Sequence, residues 1–186
     1  LNESVDGVNT FTYRNAAKAY AYGIEVEFRK KLSFITTLKN FTVQANAAYI
    51  HSRIQDSKYQ IDRPLQGQSP YTVNVSLLYD LPKHDFTASV LFNQVGQRIY
   101  LVGDLTSGSA SPDIWEAPRP ILDLQLSKKV LKQKAEVKLN ISDIINKEAV
   151  FYTDLNANKK YDSNSDAFAI KRKYGTNFSL SFAYNF

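Results

Sequence analysis

The 186-residue chain contains no cysteine, which removes a disulfide framework, a thiolate metal site and a cysteine nucleophile together. Histidine is almost as scarce. His51 and His84 are the only two, and two isolated histidines build neither a catalytic triad nor a metal centre. No stretch approaches the roughly 18 consecutive apolar residues that a membrane-spanning helix needs. Proline (6), glycine (7) and tryptophan (Trp115 alone) are sparse. The opening residues Leu1, Asn2, Glu3 and Ser4 show neither the basic start nor the apolar stretch of a signal peptide. The expectation is that the mature chain begins here or that its start lies upstream.

What is abundant is aromatic. Twelve Tyr and eleven Phe accompany a hydrophobic fraction of 44%, yet the mean hydropathy is −0.34. Strands that turn half their residues to water have this balance. The net charge of +5 is gathered in clusters between strands: Arg29, Lys30 and Lys31; Lys128, Lys129, Lys132 and Lys134; Lys171, Arg172 and Lys173. No aromatic platform is interleaved with them, which argues against a nucleic-acid partner and for solvated turns and snorkelling lysines.

Seven segments alternate with period two, at 19–31, 41–53, 71–79, 86–100, 121–130, 135–145 and 173–186. In the third, Tyr71, Val73, Val75, Leu77 and Tyr79 oppose Thr72, Asn74 and Ser76. The fourth blurs near Gly96, where a bulge is expected. In the last, Phe178, Leu180, Phe182, Tyr184 and Phe186 alternate with Asn177, Ser179, Ser181, Ala183 and Asn185. Short links at 32–40, 82–85 and 131–134 take turns with long polar ones at 54–70, 97–120 and 146–170. Short turns on one rim and long loops on the other describe a transmembrane antiparallel β-barrel in a bacterial outer membrane, with the final strand running toward the periplasm. Membrane strands need about 9 to 11 residues, and these segments meet or approach that. An open seven-stranded sheet in lipid leaves two unsatisfied edges, so the chain is expected to be the carboxyl-terminal part of a larger barrel, or the resolved part of one.

Three stretches resemble the TonB-dependent outer-membrane receptors. In the first, Asn15, Ala16, Lys18 and Ala19 precede Tyr22, Gly23, Ile24, Glu25, Val26 and Glu27, like the family's Asn and small residue before a Gly-hydrophobic-Glu-hydrophobic-Glu strand. Arg63, Pro64, Leu65, Gln66, Gly67, Gln68, Ser69, Pro70 and Tyr71 resemble its Arg-x-Leu-x-Gly-Gln-x-Pro loop. Asn140, Ile141, Ser142, Asp143, Ile144, Ile145, Asn146 and Lys147 resemble its penultimate-strand pattern. The resemblance covers nearly the whole chain. It implies the last seven strands of a 22-stranded barrel, with the amino-terminal plug and the TonB-contacting box absent from this stretch. Ser179, Tyr184 and Phe186 resemble the terminal signal read by the barrel-assembly machinery, with Ser181 where glycine is usual.

If the apolar faces meet lipid, the lumen collects Glu25, Glu27, Gln44, Asn46, Asn74, Asp123, Gln125, Glu136, Lys138 and Asn140, for which packing against the plug is preferred over substrate contact. Glu25 and Glu27 are same-face neighbours with no nucleophile or base beside them, so no enzyme is expected. Arg98, Tyr100 and Trp115 are candidates for ligand contact at an outward loop that also carries Asp104, Asp113 and Glu116. Asp154, Asn156, Asn158 and Asp162 alternate as in a calcium-binding loop. Lys159 and Ser165 stand where that loop wants Gly and Glu, so a polar external loop is preferred and no cofactor is implied.

The function expected is the barrel wall of a TonB-dependent transporter for a scarce nutrient: an iron chelate, cobalamin, a glycan or a peptide. Its partners would be outer-membrane lipid, the rest of the barrel and plug, the TonB complex, the assembly machinery, and a surface lipoprotein or larger outer-membrane complex. The second reading is a barrel subunit or captured client of an assembly or secretion complex. A passive porin ranks third and a soluble β-sandwich fourth.

Overall fold

The computed structural model describes residues 2–5, 8–11, 16–59, 61–103 and 111–186, with the backbone alone for 2–5, 8–11 and 59. Asn15 and Asp104 lie outside the described residues. In chain order the strands are β1 (Asn2–Val5), β2 (Val8–Phe11), β3 (Lys18–Lys31), β4 (Phe41–Asp56), β5 (Ile61–Arg63), β6 (Tyr71–Leu81) and β7 (Phe86–Val95). They continue with β8 (Arg98–Leu101), β9 (Ile114–Glu116), β10 (Arg119–Val130), β11 (Ala135–Ser142), β12 (Ala149–Thr153), β13 (Ala167–Arg172) and β14 (Asn177–Tyr184). Only three short 3-10 turns interrupt them among the described residues. Among the described residues no helix is long and apolar enough to cross a membrane.

Seven strands form one antiparallel meander in the order β14-β11-β10-β7-β6-β4-β3, with β5 added to the far end of β4; β1 and β2 pair only with each other. The register explains the alternation. Across the wall Ala45 lies opposite Val75, Val75 opposite Phe92, Phe92 opposite Leu122, and Leu124 opposite Ile141, itself opposite Phe178. One whole face is therefore apolar, because a single-residue slip anywhere would turn a strand's greasy side to the other face. Among the described residues nothing covers that face: Ile24 is 67% and Leu180 74% exposed.

Aromatic rows bound the apolar face. Tyr49 pairs with Tyr71, and Tyr22 with His51, at the end nearest the long connections. At the other end Phe41 pairs with Tyr79, their rings 4.8 Å apart. Eight residue steps along β4 separate the two rows, about 27 Å along the strand at ~3.4 Å per residue. Tilting a strand by about 40° brings that near the apolar band of an outer-membrane barrel.

The long connections are not loops throughout, which corrects the expectation for 97–120 and 146–170. They carry a second antiparallel sheet ordered β13-β12-β9-β8, which repeats the order of the wall strands below it, β14, β11, β10 and β7. Each of these four wall strands thus breaks and resumes. The fourth segment ends at Val95 and restarts at Arg98, across Gly96. The sixth stops at Ser142 rather than at 145, because Asp143 takes a left-handed backbone (φ 56). The seventh begins at Asn177, not 173, after the turn at Gly175 (φ 82), and its ladder ends at Tyr184. The second segment runs on to Asp56 because β5 gives it a partner.

Buried side chains concentrate in this outer sheet. Ile99, Ala149, Phe151 and Tyr152 are buried, whereas in the wall strands the only buried hydrophobic residue is Ala135 beside the short turn.

Candidate functional site

The outer end of the wall is held by two latches, and each uses one of the recognisable sequence stretches. The first is 63–70. Gly67 adopts φ 76, which a residue without Cβ reaches freely, and its N–H donates to the Ile99 carbonyl at 2.9 Å. Gln66 donates its amide to the Tyr100 carbonyl at 3.0 Å. Arg63 ion-pairs with Asp113 at 2.7 Å, and the same carboxylate accepts the Gly103 N–H at 2.8 Å. Ser69, 3% exposed, donates to the Tyr71 carbonyl at 2.7 Å. A Cβ on Gly96 would stand 2.7 Å from the Tyr71 ring and 2.8 Å from the Ser69 hydroxyl, so glycine is what lets β7 come this close.

The second latch centres on Asp143, 6% exposed. Its carboxylate accepts from Arg119 at 2.6 Å, while its N–H donates to Asp123 at 2.8 Å and its carbonyl accepts from Thr176 at 3.0 Å. Arg119 also lies 5.1 Å over the Tyr174 ring. Asn146 accepts the Gly175 N–H at 3.1 Å. Such a charge pair is costly to break, since the survivor would be buried alone.

Between the first latch, the outer sheet and 154–166 lies a cavity of about 200 Å³, lined among others by Ser52, Pro64, Gln68, Gln97, Trp115 and Lys159. Gln97 accepts the Tyr152 hydroxyl at 3.2 Å. Burial, followed by the charges of Asp154 and Asp166, pushes the Tyr152 hydroxyl up to about 12. Asp62, in β5, is held below the usual carboxylate range by its hydrogen bond from Arg53. An aromatic ring with amide groups around it suits a neutral polar ligand of small size.

Of the residues singled out from sequence, Trp115 lines this cavity and lies opposite Ile99 and Tyr152 in the outer sheet. Arg98 ion-pairs with Glu116 at 2.7 Å, and the Tyr100 ring packs 4.5 Å from that of Phe151. Gln97 and Tyr152 were missed. Their signal was the apolar run 149–152, too short to stand out from a loop.

All ten lumen candidates share one face, and most are tied across strands. Asn46 donates to Glu25 at 2.5 Å, Asn93 to Asn74 at 2.6 Å and Gln125 to Asn140 at 2.7 Å. Glu136 accepts from Ser127 and lies 3.7 Å from Lys138. Asp123 caps Asp143. Gln44 sits opposite Arg29 and Ser76, and Glu27 opposite Asn46.

In 154–166 the side-chain oxygens are engaged by backbone. Asp154 accepts from Asn158 and Lys159, Asn156 from Asn158, Asn158 from Lys160, and Asp162 from Asn164. Among the described residues no three His, Cys, Asp or Glu converge as a metal site. His51 lies 5.0 Å from the Tyr22 ring, at the opposite end of the wall from His84, which closes a short turn. At the terminal strand Ser179 pairs with Asn140, and the Tyr184 and Phe186 rings meet edge-on at 5.2 Å.

Residues 1–184 match the model of the outer membrane protein beta-barrel family. The chain belongs to that family. It is a bacterial outer-membrane protein, and walls of such barrels carry an outward apolar band of this kind. β3 and β14 are the two edges of the described sheet. No curated protein matches the chain, and no solved structure does.

Proposed function

We propose that this wall belongs to a TonB-dependent transporter: a receptor that binds a scarce nutrient at its outer mouth and admits it when an amino-terminal plug is pulled. The observation that carries the reading is that two receptor-like stretches, 63–71 and 140–147, are the two latches that tie the outer end of the wall, the first of them lining a cavity of about 200 Å³. Closing the open sheet in lipid requires further strands, which a 22-stranded barrel would supply. The reading assigns the chain no catalytic step and no cofactor. Its remaining partners would be the plug, the barrel-assembly machinery acting on β14, and a surface lipoprotein at the mouth.

A second reading is favoured by the polar face, where side chains already satisfy one another across strands and so need neither plug nor substrate. In it the barrel is a structural subunit or client of an assembly or secretion complex. The full-length protein, extracted in detergent, separates the two when passed over the immobilised periplasmic domain of TonB. Saturable retention is expected for a transporter, and none for a structural barrel.

A further inference from the structure

Charge is distributed unevenly between the rims. The three short-turn segments, 29–39, 80–85 and 128–136, carry nine Lys and Arg against three Asp and Glu, a net +6 where the whole chain has +5. The meander brings all three to one end of the wall. None of these nine cations takes part in an ion pair among the described residues, and each is exposed. At the other rim four of the five described arginines are in ion pairs: Arg53 with Asp62, Arg63 with Asp113, Arg98 with Glu116, Arg119 with Asp143.

Depth selects the partner. Lys128 lies opposite Phe86 and Val137 on the apolar face, and Lys30 lies opposite Val43, two residues beyond Phe28 on that same face. These ammonium groups stand just past the aromatic row, where a side chain keeps its stem in hydrocarbon and its charge among headgroups. Lys128 donates to the His84 carbonyl, which holds the stem without neutralising the charge. Short turns face the periplasm, so the headgroups are those of the inner leaflet, which is phospholipid.

We propose that the short-turn rim is a binding surface for anionic phospholipid of the periplasmic leaflet, with phosphatidylglycerol as the headgroup class. Lys128, with Lys132 and Lys134 of the adjoining turn, meets one headgroup phosphate from the lipid side, and Lys30, four strands along the wall, meets another. This goes beyond the transporter reading and does not depend on it.

The test is native mass spectrometry of the full-length protein, extracted in detergent and offered equal phosphatidylglycerol and phosphatidylethanolamine. The wild type is expected to retain the anionic lipid by roughly tenfold over the zwitterionic one, an effect of summed lysine charges near a surface. A variant carrying Lys30→Gln, Lys128→Gln, Lys132→Gln and Lys134→Gln should fall to parity. An outer-rim variant carrying Lys159→Gln, Lys160→Gln and Lys171→Gln should keep the preference. Heat-modifiable gel migration confirms assembly of each. If the fourfold variant fails to assemble, the exposed pair Lys132→Gln and Lys134→Gln should still lower the preference severalfold. Equal retention by the wild type, a preference that survives the short-turn substitutions, or capture of an acidic peptide without any lipid preference overturns the proposal.

Discussion

The wall and the outer sheet solve opposite problems with the same antiparallel ladder. In the wall, apolar side chains project from one face and no described residue covers them, the arrangement that outer-membrane barrels present to lipid. In the outer sheet, strands of three to six residues bury Ile99, Phe151 and Tyr152 against chain, as in a water-soluble protein. The same strand sequence passes from one regime to the other at Gly96, Asp143 and Gly175, where the ladder breaks. Stability in the wall is therefore a property of the protein and its bilayer, whereas stability above it is a property of the fold alone.

Tyr152→Ala should separate the two regimes most sharply. Removing a fully buried ring costs about 3–5 kcal/mol, enough to strip hydrogen-exchange protection from 98–101, 114–116, 149–153 and 167–172 while the wall amides stay protected. Loss of protection in both would mean that the two sheets are one cooperative unit. The converse substitution is Leu124→Arg, midway down the lipid face. It should destabilise the barrel in vesicles by about 2–4 kcal/mol, measured from urea unfolding, and Gln125→Arg one step away on the polar face should do far less.

Alkali should loosen the outer sheet before the wall. The Tyr152 hydroxyl has a folded value raised to about 12 from 10, so the folded form favours the neutral phenol. Its contribution is complete below pH 10 and is lost as pH climbs toward 12, about 3 kcal/mol at most from a shift of this size. Tyr152→Phe should flatten that part of the pH profile, read as exchange protection of 149–153. The smallest effect is expected at the latch: Gly67→Ala meets open space but a left-handed backbone, and should cost about 1 kcal/mol, seen as a lowered melting temperature without loss of assembly.

The wall was legible because period two carries its own register. In 71–79 every odd residue is apolar and every even one but Leu78 is polar, and the observed partners of Val75 and Leu77 keep that parity across all neighbours. The outer sheet was not legible. Its pairings join Trp115 to Tyr152 and Ile99 to Trp115 across long separations, its strands are too short for alternation to accumulate, and β12 reads as a short apolar run. The motif stretches were visible as resemblance, yet their work was not: nothing in the order of 63–70 announces that Gln66 and Gly67 would reach the backbone of Tyr100 and Ile99. Nor does the sequence announce the ion pair of Arg98, a candidate ligand contact, because its partner Glu116 is brought near by the β8·β9 ladder.

The central claim is that odd and even residues of a wall strand face lipid and lumen, and the chain's lack of cysteine makes it directly testable. Single cysteines placed one at a time from Thr72→Cys to Leu78→Cys in the full-length protein, spin-labelled and reconstituted in vesicles, report collision with oxygen from the bilayer and with a water-soluble nickel chelate. Strict alternation is expected, with oxygen dominating at 73, 75 and 77 and the chelate at 72, 74, 76 and 78. Uniform access to the chelate, or alternation of the opposite phase, would contradict it.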